Sequence, residues 1–151
     1  MTQLTSTIDT ESELINEVSS FVSTKSDMKQ RGVVFTNEQT ILTLLDLLPN
    51  HVWTNPNYKW LDPSAGIGNF MIFVFFKLMK HLPIKTSEDR RKHILESMLY
   101  FVEIKPDYVD TIQHIFCGDR YQLNIHLGSF VEMNIDSDNQ NIYTQDILFD
   151  I

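Results

Sequence analysis

Two acids, two glycines and an asparagine stand where their types and spacing could do chemistry: Asp62-Pro63-Ser64-Ala65-Gly66-Ile67-Gly68-Asn69 and, 35 residues past Gly68, Glu103. Each acid follows a short apolar run, 58–61 before Asp62 and 98–102 before Glu103. Glycines between a strand and a helix N-terminus let the backbone approach a ligand and turn unpaired N–H groups toward it. A carboxylate at the head of such a loop repels a pyrophosphate but accepts a cation or the amine and hydroxyls of a ligand. An acid that ends the second strand of an α/β nucleotide fold is suited to ribose, because a carboxylate can accept two O–H donors. A P-loop would need Lys and Ser or Thr after the glycines, where the chain has Asn69 and Phe70. A dinucleotide fingerprint would need a third glycine near Ile72 and Phe73. Both are excluded.

The surrounding pattern must position these residues. Thr10-Glu11-Ser12-Glu13 has the form of a capping box, and Leu14, Val18 and Phe21 follow at helical spacing, so a short helix is expected over 11–23, with 23–31 as a linker. Ile41, Leu44, Leu45 and Leu48 predict a helix over 37–48, capped by Thr36 or Asn37 and closed by Pro49. A strand at 58–61, the glycine loop and an apolar helix over 69–81 come next. A helical segment at 86–96 leads to a second strand at 98–102, and Pro106-Asp107 open another helix. A third strand is expected at 123–127, with Gly128-Ser129-Phe130 as its exit, and a fourth begins at 147–151. Strands alternating with helices predict an α/β fold with a partial, Rossmann-like parallel sheet, flanking helices and a helical N-terminal segment. Residues 70–76 read as core packing rather than an aromatic platform. Arg90-Arg91-Lys92, after Glu88 and Asp89, reads as a solvated helix face.

Composition narrows the function. The 151 residues suffice for one domain with a real core, 42% hydrophobic and 21% charged. The formal net charge of −8 argues against this chain holding DNA or RNA by itself, since such binding neutralises phosphates with Lys and Arg. The longest apolar run falls far short of the roughly 20 residues of a membrane span, and the first residues lack the basic start and apolar core of a signal peptide. The one cysteine, Cys117, reads as a buried small residue in a reducing, cytoplasmic setting. The five histidines show no metal-ligand spacing, so no metal is expected.

Phe35-Thr36 with the helix after it, LDPSAGIGNF, MLYFVEIKPDYV, NIHLGSF and ILFDI, in that order, resemble the N-terminal half of class I S-adenosylmethionine (SAM) dependent DNA adenine methyltransferases of restriction-modification type. The resemblance covers roughly 32–151, leaving 1–31 as an N-terminal helical segment and linker. It implies SAM as cofactor, with Phe35 and Thr36 packing over it. It places Asp62, Pro63, Ala65, Gly66, Gly68, Asn69 and Phe70 around the methionine moiety, and Glu103 with Ile104 at the ribose. Glycine loop and second acid together are specific; either alone is weak.

The chain departs from the family in three places. Asn37 replaces the usual proline of Phe-Thr-Pro. Ser129 stands where an Asp after Gly128 commonly contacts the adenine ring of SAM, so that contact is expected to be weakened or lost. The family's catalytic Asn-Pro-Pro-Tyr follows the strand matched by 147–151, and the sequence stops at Ile151. That motif orients the flipped adenine's exocyclic amine toward the sulfonium methyl, so no catalytic residue is assigned and the methyltransferase domain is expected to be incomplete at its C-terminus. The resemblance thus implies the SAM-binding portion of a DNA adenine-N6 methyltransferase, inactive alone, which meets DNA only within a larger or split enzyme whose partner chain carries the motif. A non-catalytic or decayed SAM-binding module acting through a partner, and a small-molecule methyltransferase, are the alternatives.

Overall fold

A computed structural model describes residues 36–133. The expected N-terminal helix at 11–23, Phe35 and the expected fourth strand at 147–151 lie outside the described residues. Helix α1 (Glu38–Asp46) begins where Asn37, in extended conformation, accepts the Thr40 N–H on its side-chain oxygen at 2.8 Å, and it buries Ile41 and Leu45. The short α2 (His51–Thr54) buries Trp53, which stacks on Trp60 with ring centroids 4.6 Å apart. Lys77 lies 4.7 Å over the Trp53 ring and pairs with Asp46 of α1 at 2.5 Å. Asn55-Pro56-Asn57 forms a turn closed by the Asn55 side chain, which accepts the Asn57 N–H.

Strand β1 (Trp60–Asp62) leads through the glycine loop into α3 (Asn69–His81), whose apolar run fills the core with Ile72, Phe73, Val74, Phe75 and Leu78. Helix α4 (Ser87–His93) is capped by Thr86, which accepts the Asp89 N–H, and buries nothing itself. It widens into a π-helical turn, Ile94–Met98, which turns Ile94, Leu95 and Met98 into the core before strand β2 (Leu99–Glu103). The Asn124 amide donates to the carbonyls of Glu96 and Leu99 at the end of this turn, so groups the helix cannot satisfy are partnered by the third strand. Helix α5 (Pro106–Ile115), with proline in its first turn, carries the chain to β3 (Asn124–Leu127).

The three strands lie in the order β1-β2-β3 and both pairings are parallel. Parallel pairing requires a crossover between consecutive strands, supplied by α3 with α4 and by α5. All three strands therefore end at one edge of the sheet. The architecture is mixed α/β, a three-stranded parallel sheet flanked by helices, compatible with a partial Rossmann-like fold. Phe101 and Phe116 meet at 5.1 Å in the core, with Ile112 and Ile115 of α5 fully buried beside the sheet.

Two expectations are corrected. Arg90 is not part of a solvated face. Its Nη1 donates to the Met79 carbonyl at 2.6 Å, and Nε and Nη2 donate to the Ile84 carbonyl at 3.0 and 2.5 Å, which ties the end of α3 to the loop after it. Arg90→Ala is expected to lower stability by about 1–3 kcal/mol, and Arg90→Lys to recover only part of it because an ammonium cannot reproduce the fork. Urea unfolding of the three proteins checks this. Cys117 is half-buried rather than buried, and its backbone takes a left-handed conformation, φ 54°, in the turn after α5.

Candidate functional site

Asp62 is the last residue of β1, paired with Phe101, rather than the first residue after the strand. Its Oδ1 accepts the Ser64 N–H at 3.1 Å, which folds Pro63 and Ser64 into a tight turn with both exposed. The loop then crosses the end of β2. Ala65 donates its N–H to the Val102 carbonyl at 2.9 Å, and Gly66 donates to Glu103 Oε2 at 2.7 Å. Gly68 closes the loop by donating to the Ala65 carbonyl at 2.8 Å and accepts the first helical bond from Ile72.

The two glycines serve different needs. Gly68 sits at φ +84°, and a Cβ built there would lie 2.9 Å from Cε2 of Phe116, so both the backbone conformation and the buried ring demand glycine. Gly66 sits at φ +58° with nothing within 4 Å of a built Cβ. Open space therefore lies over the loop at Gly66, beside the N-terminus of α3, which no side chain caps. A ligand can approach the backbone there.

Glu103 ends β2 and is 7% exposed, the one buried charged side chain among the described residues. Its Oε1 accepts the N–H groups of Ile104 and Lys105, both at 2.9 Å, and its main-chain carbonyl accepts the Gly128 N–H at 2.9 Å. The exits of β2 and β3 are thereby joined, which brings Ser129 to the same edge. Ser129 is half-buried, and its carbonyl starts a short 3-10 turn, Phe130–Glu132, that its side chain does not cap. Ile104 and Leu127 leave large apolar side chains exposed at this edge. The Asn69 amide donates to the Thr36 carbonyl at 3.0 Å, tethering exposed Thr36 to the start of α3. Phe70 is half-buried in the first turn of that helix.

Hydrogen bonds thus gather Thr36, Asp62, Ala65, Gly66, Gly68, Asn69 and Glu103 around one loop, while Phe35 lies outside the described residues. Val102, which anchors Ala65, and Phe116, which supports Gly68, are parts of the site that local sequence pattern does not mark. Gly128 at a strand exit was the one available signal for the β2–β3 link. Among the described residues no group of three or more His, Cys, Asp or Glu is arranged to hold a metal, and no helix is long and apolar enough to cross a membrane.

Burial pushes the Asp62 carboxyl above the usual carboxylate range; the Ser64 N–H pulls it part of the way back, and the negative charge of Glu103 adds to the rise. An acid whose folded pKa exceeds its unfolded one holds its proton more tightly in the folded state. Its favourable contribution is therefore present at acid pH and is lost as pH climbs from the ordinary value of 3.8 through the raised one. Asp62→Asn keeps an oxygen for Ser64 and removes the charge. It is expected to raise the thermal midpoint at about pH 7 and leave it nearly unchanged at about pH 3. Circular dichroism melts at both pH values check this, and an equal shift at both would show that the charge is not the cause.

No family model matches the chain. It is similar, 38% identical over 74 residues, to a Mycoplasma pneumoniae protein described as an uncharacterized adenine-specific methylase. The match takes in 46% of this chain and 18% of that protein, so the chain spans under a fifth of the relative's length. The likeness supports a methyltransferase relationship.

Proposed function

We propose that this polypeptide is the SAM-binding portion of a site-specific DNA adenine-N6 methyltransferase of restriction-modification type. One observation carries the reading: Asp62, the open glycine loop and buried Glu103 converge at the shared edge of three parallel strands, where α/β folds bind nucleotides. The resemblance of the same residues to that enzyme family and the likeness to the Mycoplasma protein support it.

The residues present fit such a cofactor. Asp62 offers a carboxylate to its amino group, the backbone of 65–69 lines its amino-acid portion, and Glu103, whose Oε2 carries one N–H, that of Gly66, accepts a ribose hydroxyl there. Exposed Ile104 offers an apolar surface to the purine, and Ser129 replaces the expected Asp with a hydroxyl. When bound, SAM supplies a methyl group activated by the sulfonium. These 151 residues contain no Asn-Pro-Pro-Tyr, so the reading assigns them the donor and not the groups that orient an adenine amine. In this reading those groups and the DNA-binding surface lie outside these 151 residues, whose acidic balance fits that division.

The test is thermal unfolding of the chain in graded S-adenosylhomocysteine. A ligand that binds only the folded state raises stability by about 2.7 kcal/mol at a hundredfold excess over Kd. The midpoint should climb with ligand concentration in the wild-type chain and stay flat in Asp62→Ala. A flat response in the wild type contradicts the proposal.

A further inference from the structure

Glu103 divides its carboxylate between two structures. Oε1 holds the two N–H groups of the Ile104–Lys105 turn that leads out of β2, and Oε2 holds Gly66, 37 residues earlier in the chain. Two neighbouring loop amides are therefore fixed to the end of β2 by unlike partners. Ala65 is bonded to the Val102 main-chain carbonyl, which carries no charge and lies within the strand. Gly66 is bonded to a carboxylate oxygen, whose second lone pair remains available to hydroxyl donors. A hydroxyl that arrives on Oε2 shares that oxygen with Gly66 and draws on the same charge. Gly66 has room to answer, since nothing stands within 4 Å of its Cβ direction, whereas Gly68 is wedged against Phe116.

We propose that Glu103 is the positioning residue of the glycine loop, and that its bond to Gly66 couples the two halves of the ligand site, so that occupation of the diol end resets the backbone that receives the amino-acid end. This rests on the cofactor reading above and deepens it. The physical basis is one acceptor serving two donors in a largely buried place, where a shared charge-assisted bond is strong and its weakening is felt by both partners.

Ala65 is the only alanine of the chain, so a full chain labelled with carbonyl-13C alanine and 15N glycine gives one alanine–glycine correlation in a carbonyl–amide NMR spectrum, that of Gly66. In the free chain, Glu103→Gln keeps an oxygen for Gly66 or for the Ile104–Lys105 pair, not both, and is expected to move this signal while the thermal midpoint shows the variant folded. Titration with adenosine, which lacks the amino-acid half, is expected to shift the Gly66 signal saturably in the wild type and much less in Glu103→Gln. At saturation 2′,3′-dideoxyadenosine, with the same ring and neither hydroxyl, is expected to shift it less. An equal shift with both nucleosides assigns the effect to the ring and overturns the coupling. So does a Gly66 signal that stays still throughout the adenosine titration. If SAM nevertheless binds that same sample calorimetrically, the cofactor reading survives without the coupling; if it does not, both fall.

Discussion

Glu103→Ala is expected to weaken SAM binding by about 100-fold or more, equivalent to about 2.7 kcal/mol, and to lower the stability of the fold by about 2–4 kcal/mol. The stability loss follows from three N–H groups, those of Gly66, Ile104 and Lys105, which share one carboxylate. Water can reach the exposed Ile104 turn and satisfy part of the debt, so the loss falls below the sum of three charge-assisted bonds. The affinity loss is larger than the removal of a hydroxyl acceptor alone, because the loop at Gly66 is released at the same time. Urea unfolding and calorimetry on the same preparations separate the two. A variant that unfolds like the wild type would show that the Gly66 bond does little for the loop.

Gly68→Ala and Gly66→Ala are expected to part company. At Gly68 a left-handed backbone costs a residue with a Cβ about 1–2 kcal/mol, and the methyl meets Phe116 at 2.9 Å, with Ile112 and Phe101 at 3.5 and 3.7 Å behind it. Phe116 is buried against Phe101 and Phe75 and has little freedom to retreat. The total is expected at about 2–4 kcal/mol, read by urea unfolding. At Gly66 only the backbone strain applies, about 1–2 kcal/mol, yet the methyl enters the open space over the loop. Gly66→Ala is therefore expected to remain folded and lose affinity, while Gly68→Ala loses stability first. Equal destabilisation by both would mean that the space over Gly66 is filled.

Much of this was legible because local pattern and tertiary role agree. The run from Asn69 to His81 is apolar, follows two glycines and ends in Lys80 and His81, and the helix takes those bounds. Asn37 and Thr86 cap the helices that follow them, as short polar side chains before helical runs do. The two acids could be placed at strand ends because each follows an apolar run. Both strands run one residue further than expected and take in their acids, because strand membership is decided by pairing, with Phe101 for Asp62 and Leu127 for Glu103, partners that no local window contains.

Arg90 fails for the same kind of reason. Its neighbours Glu88, Asp89, Arg91 and Lys92 make a charged face, but the carbonyls of Met79 and Ile84 need donors, and only the fold brings them within reach. The bond from Gly66 to Glu103 is likewise invisible in sequence, although both residues stood out separately. Their types announced a site, and the crossing of the loop over β2 makes it one.

Whether Asp62, the glycine loop and Glu103 form one SAM site is decided by calorimetric titration of SAM into the purified chain. Saturable heat with one SAM per chain is expected, with binding at least about 100-fold weaker in Glu103→Ala and lost in Asp62→Ala, all three proteins being folded under the conditions used. A folded wild-type chain that gives no saturable heat would contradict such a site, as would binding that both variants retain unchanged.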